Sequence, residues 1–373
     1  MIVNLHIAVL PGDGIGPEVI HQAIRVLDTI AKKYGHVFHF EFGDIGGAAI
    51  EKYGEPLTKG VLDACLKSDA ILFGAVGEPQ YDKNPDAAIR PEQGLFQLRK
   101  SLGLYANIRP VKAYSSLQYL SPLKPKHLEG VDIMVLRELT GGIYFGKKEW
   151  NAEKQEASDL CVYNTNEISR VTYLAFKYAL QRKRKLTVVD KANVLETSKL
   201  WRKTVTQIAA DFPDVQLEFM YIDNAALQLI THPKQFDVIL TENLFGDILS
   251  DESSALAGSL GLLPSASFGE GPPLFEPIHG SYHEAKGKDL VNPVGTILSA
   301  AMLLDHFGLT EEAKHVRDAV GWTIENGFVT KDIDPVNFYF TSTIGELICD
   351  YILNKTNVAI NKENIQIRKS TII

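Results

Sequence analysis

Within NLFGDILSD (243–251), Asp247 and Asp251 stand four residues apart. On a helix that spacing sets both carboxylates on one face, where they repel unless a cation binds them. An oxygen-only pair suits Mg²⁺ or Mn²⁺ rather than zinc. The flanking Leu244, Phe245, Ile248 and Leu249 argue against a merely solvated face, the alternative being capping or solvated aspartates. Asp223, in YIDNA (221–225), reads as the end of a strand, where ligands gather in α/β sheets. Arg99, Arg109 and Arg137 lie in LRKSL, NIRP and VLRELTGG, each beside structural punctuation. A guanidinium fork binds a carboxylate bidentately, so three converging forks would hold a di- or tricarboxylic acid; singly, each is an ordinary salt-bridge residue. Lys191 follows the apolar run LTVVD (186–190), which would point its amine into a protected site. Burial there beside cations would lower its pKa and make it a base. Tyr144, in the Gly-bounded stretch TGGIYFGKKEW (140–150), either donates a proton or packs the arm.

Strands and helices must alternate to position these groups. Ile7–Leu10 is a short apolar run, followed by the turn PGDGIG and by Pro17 at the start of a helical pattern over Ile20, Ala23, Ile24, Leu27, Ile30 and Ala31. Phe38, Phe40 and Phe42 alternate with polar residues as in a half-buried strand, and AILFGAV (70–76) reads as a strand covered on both faces. Residues 111–130 look like a connecting region. Val131–Leu139 is another strand, TGGIYFGKKEW a hairpin or arm, and helix–strand units follow through LTVVD, VQLEFMYID (215–223) and FDVILTE (236–242). The pattern is α/β with a parallel or mixed sheet. The glycine turn GDGIGPE (12–18) is not a Rossmann fingerprint, because Pro17 occupies the third glycine position and Asp13 brings a negative charge where phosphates would sit. A tight strand-to-helix turn and a cofactor contact of another kind stay open for it. No P-loop motif occurs.

The chain has 373 residues, enough for two domains by length. Its 38 basic and 46 acidic residues leave a net charge of -8, which argues against a nucleic-acid binder but allows a local arginine cluster. No apolar run reaches membrane-spanning length, and no signal peptide is recognisable, so a cytoplasmic, soluble protein without membrane partner is expected. The three cysteines, Cys65, Cys161 and Cys349, are scattered and read as thiols rather than a disulfide framework or zinc site. The polar residues after about 355 read as a frayed tail.

Together these segments resemble the β-decarboxylating dehydrogenase family. The resemblance is carried by LPGDGIGPEV (10–19), LRKSLGLYANIRP (98–110), VLRELTGGIYFG (135–146), VDKANVLE (189–196), YIDNA (221–225), NLFGDILSDE (243–252), GLLPSAS (261–267) and EPIHGS (276–281). It implies the two-domain fold of that family, with a mixed sheet and no Rossmann fold. Residues 1–104 plus 257–373 would form the cofactor domain, and 105–256 the substrate and dimerisation domain, with an arm near 140–165. It also implies oxidation of a 2-hydroxy dicarboxylic acid by NAD, followed by decarboxylation. Asp223, Asp247 and Asp251 would hold Mg²⁺ or Mn²⁺, Lys191 would be the base, and Tyr144 the acid that protonates the product. Arg99, Arg109, Arg137 and Asp223 would contact the substrate. Lys191 and Asp223 would reach the site from the other subunit of a homodimer.

Family members acting on isocitrate present Ser and Asn near RPEQGLF (90–96), where this chain has Gln93 and Leu95, then Phe96, with Glu92 just before. Burying an unpaired carboxylate there would cost several kcal/mol, on the order of a lone buried charge, whereas an isopropyl group gains roughly 1.5–3 kcal/mol. Glu92, Leu95, Phe96 and Val194 are therefore read as lining the substrate, expected to be 3-isopropylmalate converted to 4-methyl-2-oxopentanoate in leucine biosynthesis. The rival readings are isocitrate, homoisocitrate or tartrate as substrate, a non-catalytic regulatory subunit, and a Mg²⁺-dependent lyase. For the cofactor, the resemblance points to Gly77, Glu78, Pro79, His279, Gly280, Ser281, Glu284, Gly287 and Asn292. Glu284 stands in place of a ribose-binding aspartate and favours NAD over NADP. Glu78, Phe96, Tyr282, His283 and Lys286 depart from the family pattern. His279 and His283 have the spacing of a metal pair, but Gly280 and Ser281 between them make a loop.

Overall fold

The computed structural model describes residues 2–82 and 88–355, so the tail expected to fray lies outside the described residues. The first stretch runs β1 (Asn4–Gly12), α1 (Gly16–Tyr34), β2 (Val37–Phe42), α2 (Gly47–Tyr53), α3 (Lys59–Lys67), β3 (Ala70–Ala75) and α4 (Pro79–Asp82). The middle runs α5 (Glu92–Ser101), β4 (Leu104–Lys112), α6 (Pro125–Leu128), β5 (Asp132–Glu138), β6 (Lys148–Asn151), β7 (Glu156–Asp159), α7 (Thr165–Gln181), β8 (Lys185–Asp190), α8 (Glu196–Ala209), β9 (Gln216–Tyr221), α9 (Ile222–Thr231), β10 (Val238–Thr241), α10 (Asn243–Ala257) and β11 (Pro264–Gly269). The chain returns through β12 (Leu274–Pro277), α11 (Val294–His306), α12 (Thr310–Glu325) and α13 (Thr341–Ile352).

Two compact units result: Met1–Gly94 with Phe275–Ile373, and Leu95–Leu274. These divisions fall at 94/95 and 274/275, beside the borders expected near residues 104 and 257. Strand β11 pairs antiparallel with β4, with Ala266 opposite Ile108, which ties residues 264–269 to the middle unit. In the outer unit the strand order is β2-β1-β3-β12, with β1 parallel to both neighbours. All six residues of β3 are buried, as its unbroken apolar run requires. Strand β2 forms as its alternation predicts, but at the sheet edge, where Phe42 is left exposed. Helix α1 buries Val19, Ile20, Ala23, Val26, Leu27 and Ile30 and ends at left-handed Gly35.

In the middle unit the order is β11-β4-β5-β10-β8-β9. The first three strands are antiparallel neighbours, and β5, β10, β8 and β9 run parallel, so the sheet is mixed. The connecting region holds a 3₁₀ turn, Ser115–Leu120, and the short α6. The arm hairpin lies later than the glycines suggest. It pairs Lys148–Asn151 with Glu156–Asp159, and all eight residues are exposed. Asp223 is not the last residue of a strand. Strand β9 ends at Tyr221, and Asp223 stands in the first turn of α9, where a carboxylate is favoured by the helix dipole. Among the described residues no helix is long and apolar enough to cross a membrane.

Candidate active site

The antiparallel register of β4 and β5 sets Asn107 opposite Arg137 and Arg109 opposite Val135. Side chains two apart on a strand share a face, so Asn107, Arg109 and Arg137 project together. Helix α10 lies over this face. Its residues Asn243, Asp247 and Asp251 recur every fourth position, a row along one side of the helix. Asn243 Oδ1 accepts from Arg137 Nε at 3.0 Å and Nη2 at 2.8 Å, and Asp247 pairs with Arg137 Nη1. Arg109 Nη1 donates to Ser250 Oγ at 2.7 Å and to Asp251 Oδ1 at 3.2 Å, while its Nε donates to Asn107 Oδ1 at 2.8 Å. Asn107 is itself fixed by donating to Ser265 Oγ at 2.7 Å and Ser267 Oγ at 3.0 Å. Burial draws the Arg137 pKa below its usual value; Asp247 opposes the shift, and Arg109 and Arg99 act with burial. Arg99, on α5, stands close enough for its charge to act on Arg137.

The close approach of α10 to β5 depends on Gly246. A Cβ there would lie 2.6 Å from Arg137 Cγ and 2.8 Å from its Cβ. Behind the site, Glu138 is fully buried and accepts from the backbone N–H of Thr140 and Gly141, both at 2.8 Å. Burial raises its pKa. Asn243 Nδ2 donates to Gly141 O at 3.3 Å, and its backbone N–H to Tyr163 Oη at 3.0 Å. These bonds fasten the turn leading to Tyr144, whose hydroxyl donates to Asp247 Oδ2 at 3.0 Å. Burial first, then the Asp247 charge, raises the Tyr144 pKa, so the phenol keeps its proton.

Lys191 and Asp223 form a second group. Lys191 follows β8, its backbone N–H donates to Ser198 Oγ at 3.1 Å, and its amine pairs with Asp223. Within the chain the amine of Lys191 therefore meets an anion. That hydrogen bond holds the Asp223 carboxyl below the usual carboxylate range. Among the described residues no three His, Cys, Asp or Glu side chains assemble as a metal-holding group, so Asp223 does not join Asp247 and Asp251 within one chain. Leu95 is half-buried, while Phe96 and Val194 face solvent, at 57% and 64% exposure. Within one chain they are not walls of a closed pocket.

The cofactor candidates lie in the outer unit. The glycine turn there is a tight turn locked by protein groups. Asp13 accepts from the N–H of Gly47 and Ala48 at 2.8 Å and of Gly77 at 3.0 Å, and Ile15 N–H donates to Ser281 O at 2.8 Å. Left-handed Gly14 lies so near Ser281 that a Cβ would come within 1.9 Å of its carbonyl oxygen. Ile15, Val19, Ala285 and Val291 form the apolar support beneath this junction. His279 bonds Gly280 O through Nδ1 at 3.0 Å, but its Nε2 is buried without a partner, and burial lowers its pKa. Gly77 and Ser281 are neighbours, and Glu92 stands beside them, its Oε1 3.4 Å from where a Gly77 Cβ would be. Glu92 thus lies next to the cofactor candidates. Glu78 meets His283 at 3.3 Å. Glu284 is exposed on a one-turn 3₁₀ segment, and Asn292 Oδ1 accepts from Val294 N–H at 3.1 Å at the start of α11.

Residues 6–348 match the family model described as isocitrate/isopropylmalate dehydrogenase. The chain belongs to that family. Among curated members of the isocitrate/isopropylmalate dehydrogenase family, it is 52% identical over 360 residues to a 3-isopropylmalate dehydrogenase of Bacillus subtilis, covering 95% of this chain and 98% of the relative. It is 51% identical over 350 residues to one of Thermotoga maritima, covering 92% and 98%. Among solved structures, an isocitrate dehydrogenase from Methylococcus capsulatus superposes with a TM-score of 0.83 at 31% identity, over 94% of this chain and all of that one. A β-decarboxylating dehydrogenase from Thermococcus kodakarensis gives 0.79 at 36% identity, over 94% and 96%. The mixed α/β fold is that of the isocitrate/isopropylmalate dehydrogenase family.

The groups such an enzyme needs fit the residues present. Asp247 and Asp251 supply hard oxygen donors, which suit a divalent ion of the Mg²⁺ class. The unpartnered His279 Nε2 leaves a polar atom for a ligand to satisfy. A Cβ at Gly280 or Gly287 would meet nothing within 4 Å, so a ligand can approach the backbone there. Sequence reasoning missed Asn107, Asn243, Ser250, Gly246 and Glu138, which orient the arginines and the turn before Tyr144. Only Gly246, a glycine inside a helical pattern, carried a local signal.

Proposed function

We propose that the chain carries out the metal-dependent oxidative decarboxylation of 3-isopropylmalate to 4-methyl-2-oxopentanoate with NAD as oxidant, a step of leucine biosynthesis. The observation that carries this reading is the pairing of Arg109 and Arg137 with the Asp247–Asp251 row, with the Arg99 charge close by, in a protein of net charge -8. Arg99, Arg109 and Arg137 bind the two carboxylates of the acid and orient it. Asn107 and Asn243 hold Arg109 and Arg137 in place, which reduces the ordering needed on binding. Lys191 accepts the proton from the 2-hydroxyl oxygen, and Asp223 positions its amine. After loss of the carboxylate on C3 as CO₂, Tyr144 Oη delivers a proton to that carbon, and its raised pKa keeps the proton available until then.

Mg²⁺ or Mn²⁺ held by Asp223, Asp247 and Asp251 supplies Lewis-acid polarisation of the hydroxyl oxygen, and NAD⁺ held by the loops at 77–79 and 279–292 supplies the hydride acceptor. In this reading Leu95, Phe96 and Val194 meet the isopropyl group, and Glu284 accepts from a ribose hydroxyl. On the same reading Lys191 and Asp223 serve the site of a second copy, which is supported by the three aspartates not gathering among the described residues of one chain. The arm supports a homodimer: a two-stranded hairpin with every residue exposed is marginal in water and gains order from a partner surface. The test follows NADH formation with 3-isopropylmalate and with isocitrate, with and without Mg²⁺. Turnover of 3-isopropylmalate that stops in excess EDTA is expected. Faster turnover of isocitrate would overturn the substrate, and undiminished activity in EDTA the metal.

A further inference from the structure

Two departures from the family pattern, Glu78 and His283, touch each other. His283 Nε2 lies 2.7 Å from the carbonyl oxygen of Gly77 and 3.3 Å from Glu78 Oε2. Both partners are acceptors, so Nε2 carries the proton and shares it between them. The N–H of Gly77 is held from the opposite side by Asp13 at 3.0 Å, and Asp13 also binds the first N–H groups of α2. Gly77 is thus clamped at both of its polar groups. Glu78 lies against Gly47 at the start of α2, where a Gly47 Cβ would come within 3.2 Å of its Oε2. His283, next to Glu284, belongs to the other cofactor loop, itself tied to the glycine turn through Ser281 and Ile15.

From this geometry we infer that His283 is a positioning residue for the dinucleotide: it takes up the Glu78 carboxylate and thereby keeps that anion from opposing the cofactor's pyrophosphate. The inference rests on the reading of loops 77–79 and 279–287 as the NAD site. A carboxylate standing free there would repel a ligand carrying two phosphate charges, while one drawn toward an imidazole N–H is partly offset and fixed in direction. Glu78 and His283 act as a matched pair. Without His283 the Glu78 carboxylate would stand free beside the loop, whereas without Glu78 the imidazole would still hold the Gly77 carbonyl.

The test is a double-mutant cycle on NAD⁺ affinity, measured by titration calorimetry on the full chain, with steady-state KM for NAD⁺ and for 3-isopropylmalate alongside. His283→Ala should raise the NAD⁺ dissociation constant roughly three- to tenfold, the range lost with one ordinary hydrogen bond, while KM for the hydroxy acid holds. In a Glu78→Gln background the same substitution should change it less than about twofold, because the anion to be restrained is gone. His283→Gln, whose amide N–H reaches the same acceptors, should recover most of the loss. Equal losses in both backgrounds would show that His283 acts through Gly77 alone and would overturn the inference. So would unchanged affinity in His283→Ala. Wild-type protein that binds no NAD⁺ would instead remove the cofactor reading beneath it.

Discussion

Tyr144 and Lys191 differ in what holds them, and the difference sets how each would fail. Tyr144 donates to Asp247 at 3.0 Å, in a setting where burial and that carboxylate both disfavour the phenolate. Its folded pKa lies above the usual tyrosine value of about 10, so loss of its proton falls on the alkaline side of that value. A basic limb in kcat below about pH 10 is not expected from Tyr144; such a limb present in the wild type and absent in Tyr144→Phe would contradict its assignment as a proton held in reserve. Tyr144→Phe should lower kcat while leaving KM for the hydroxy acid nearly constant, because the guanidinium contacts stay. Lys191 is paired with an exposed carboxylate, and exposed pairs contribute little to stability. Lys191→Ala should therefore abolish turnover without moving the thermal midpoint. A variant that turns over near the normal rate would exclude it as the base.

At the scale of elements, the site is a helix laid over two antiparallel strands. Part of this was legible. The four-residue spacing of Asp247 and Asp251 announces a helix face, and α10 presents it. What faces that helix was not legible, because it follows from the pairing of β4 with β5, which sets Asn107 opposite Arg137 through contacts remote in sequence. Asp223 reads as a strand end in the sequence because VQLEFMYID stays largely apolar across the point where β9 ends and α9 begins. The Glu78–His283 pair escaped for a related reason: its loops are brought together from positions 206 residues apart for Gly77 and His283. Gly246 gives the sharpest element-level prediction. Gly246→Ala should favour the isolated helix by about 1 kcal/mol. Yet the added Cβ would press on the Arg137 side chain, 2.6 Å from Cγ. Displacing a positioned guanidinium by a fraction of an ångström to an ångström should lower kcat/KM about a hundredfold, with KM for the hydroxy acid rising. Wild-type kinetics for Gly246→Ala would mean that α10 and β5 can separate freely and that the register does not set the site.

At the scale of the whole molecule, the candidate residues of one chain fall in two groups, and no metal set assembles among the described residues. Arg137, Arg109, Tyr144, Asp247 and Asp251 cluster on one side; Lys191 and Asp223 form the other. Exposed apolar residues accompany both: Leu227 stands on α9, Ile248 on α10, and Trp150 on the arm. Apolar surface of this kind is what a stable subunit interface covers. If two copies exchange these groups, a mixture of variants tells the shared site from a self-contained one. Lys191→Ala and Arg137→Lys should each be inactive alone. In a twofold dimer built from one of each, one site carries both substitutions and the other carries neither. Random pairing after co-expression makes half the dimers hybrids, each with one intact site of two, so activity should return to about a quarter of the wild-type value. Size-exclusion chromatography with light scattering would establish the dimer first. If the dimer forms and the mixture stays inactive, each chain serves its own site, and Lys191 and Asp223 act where they stand.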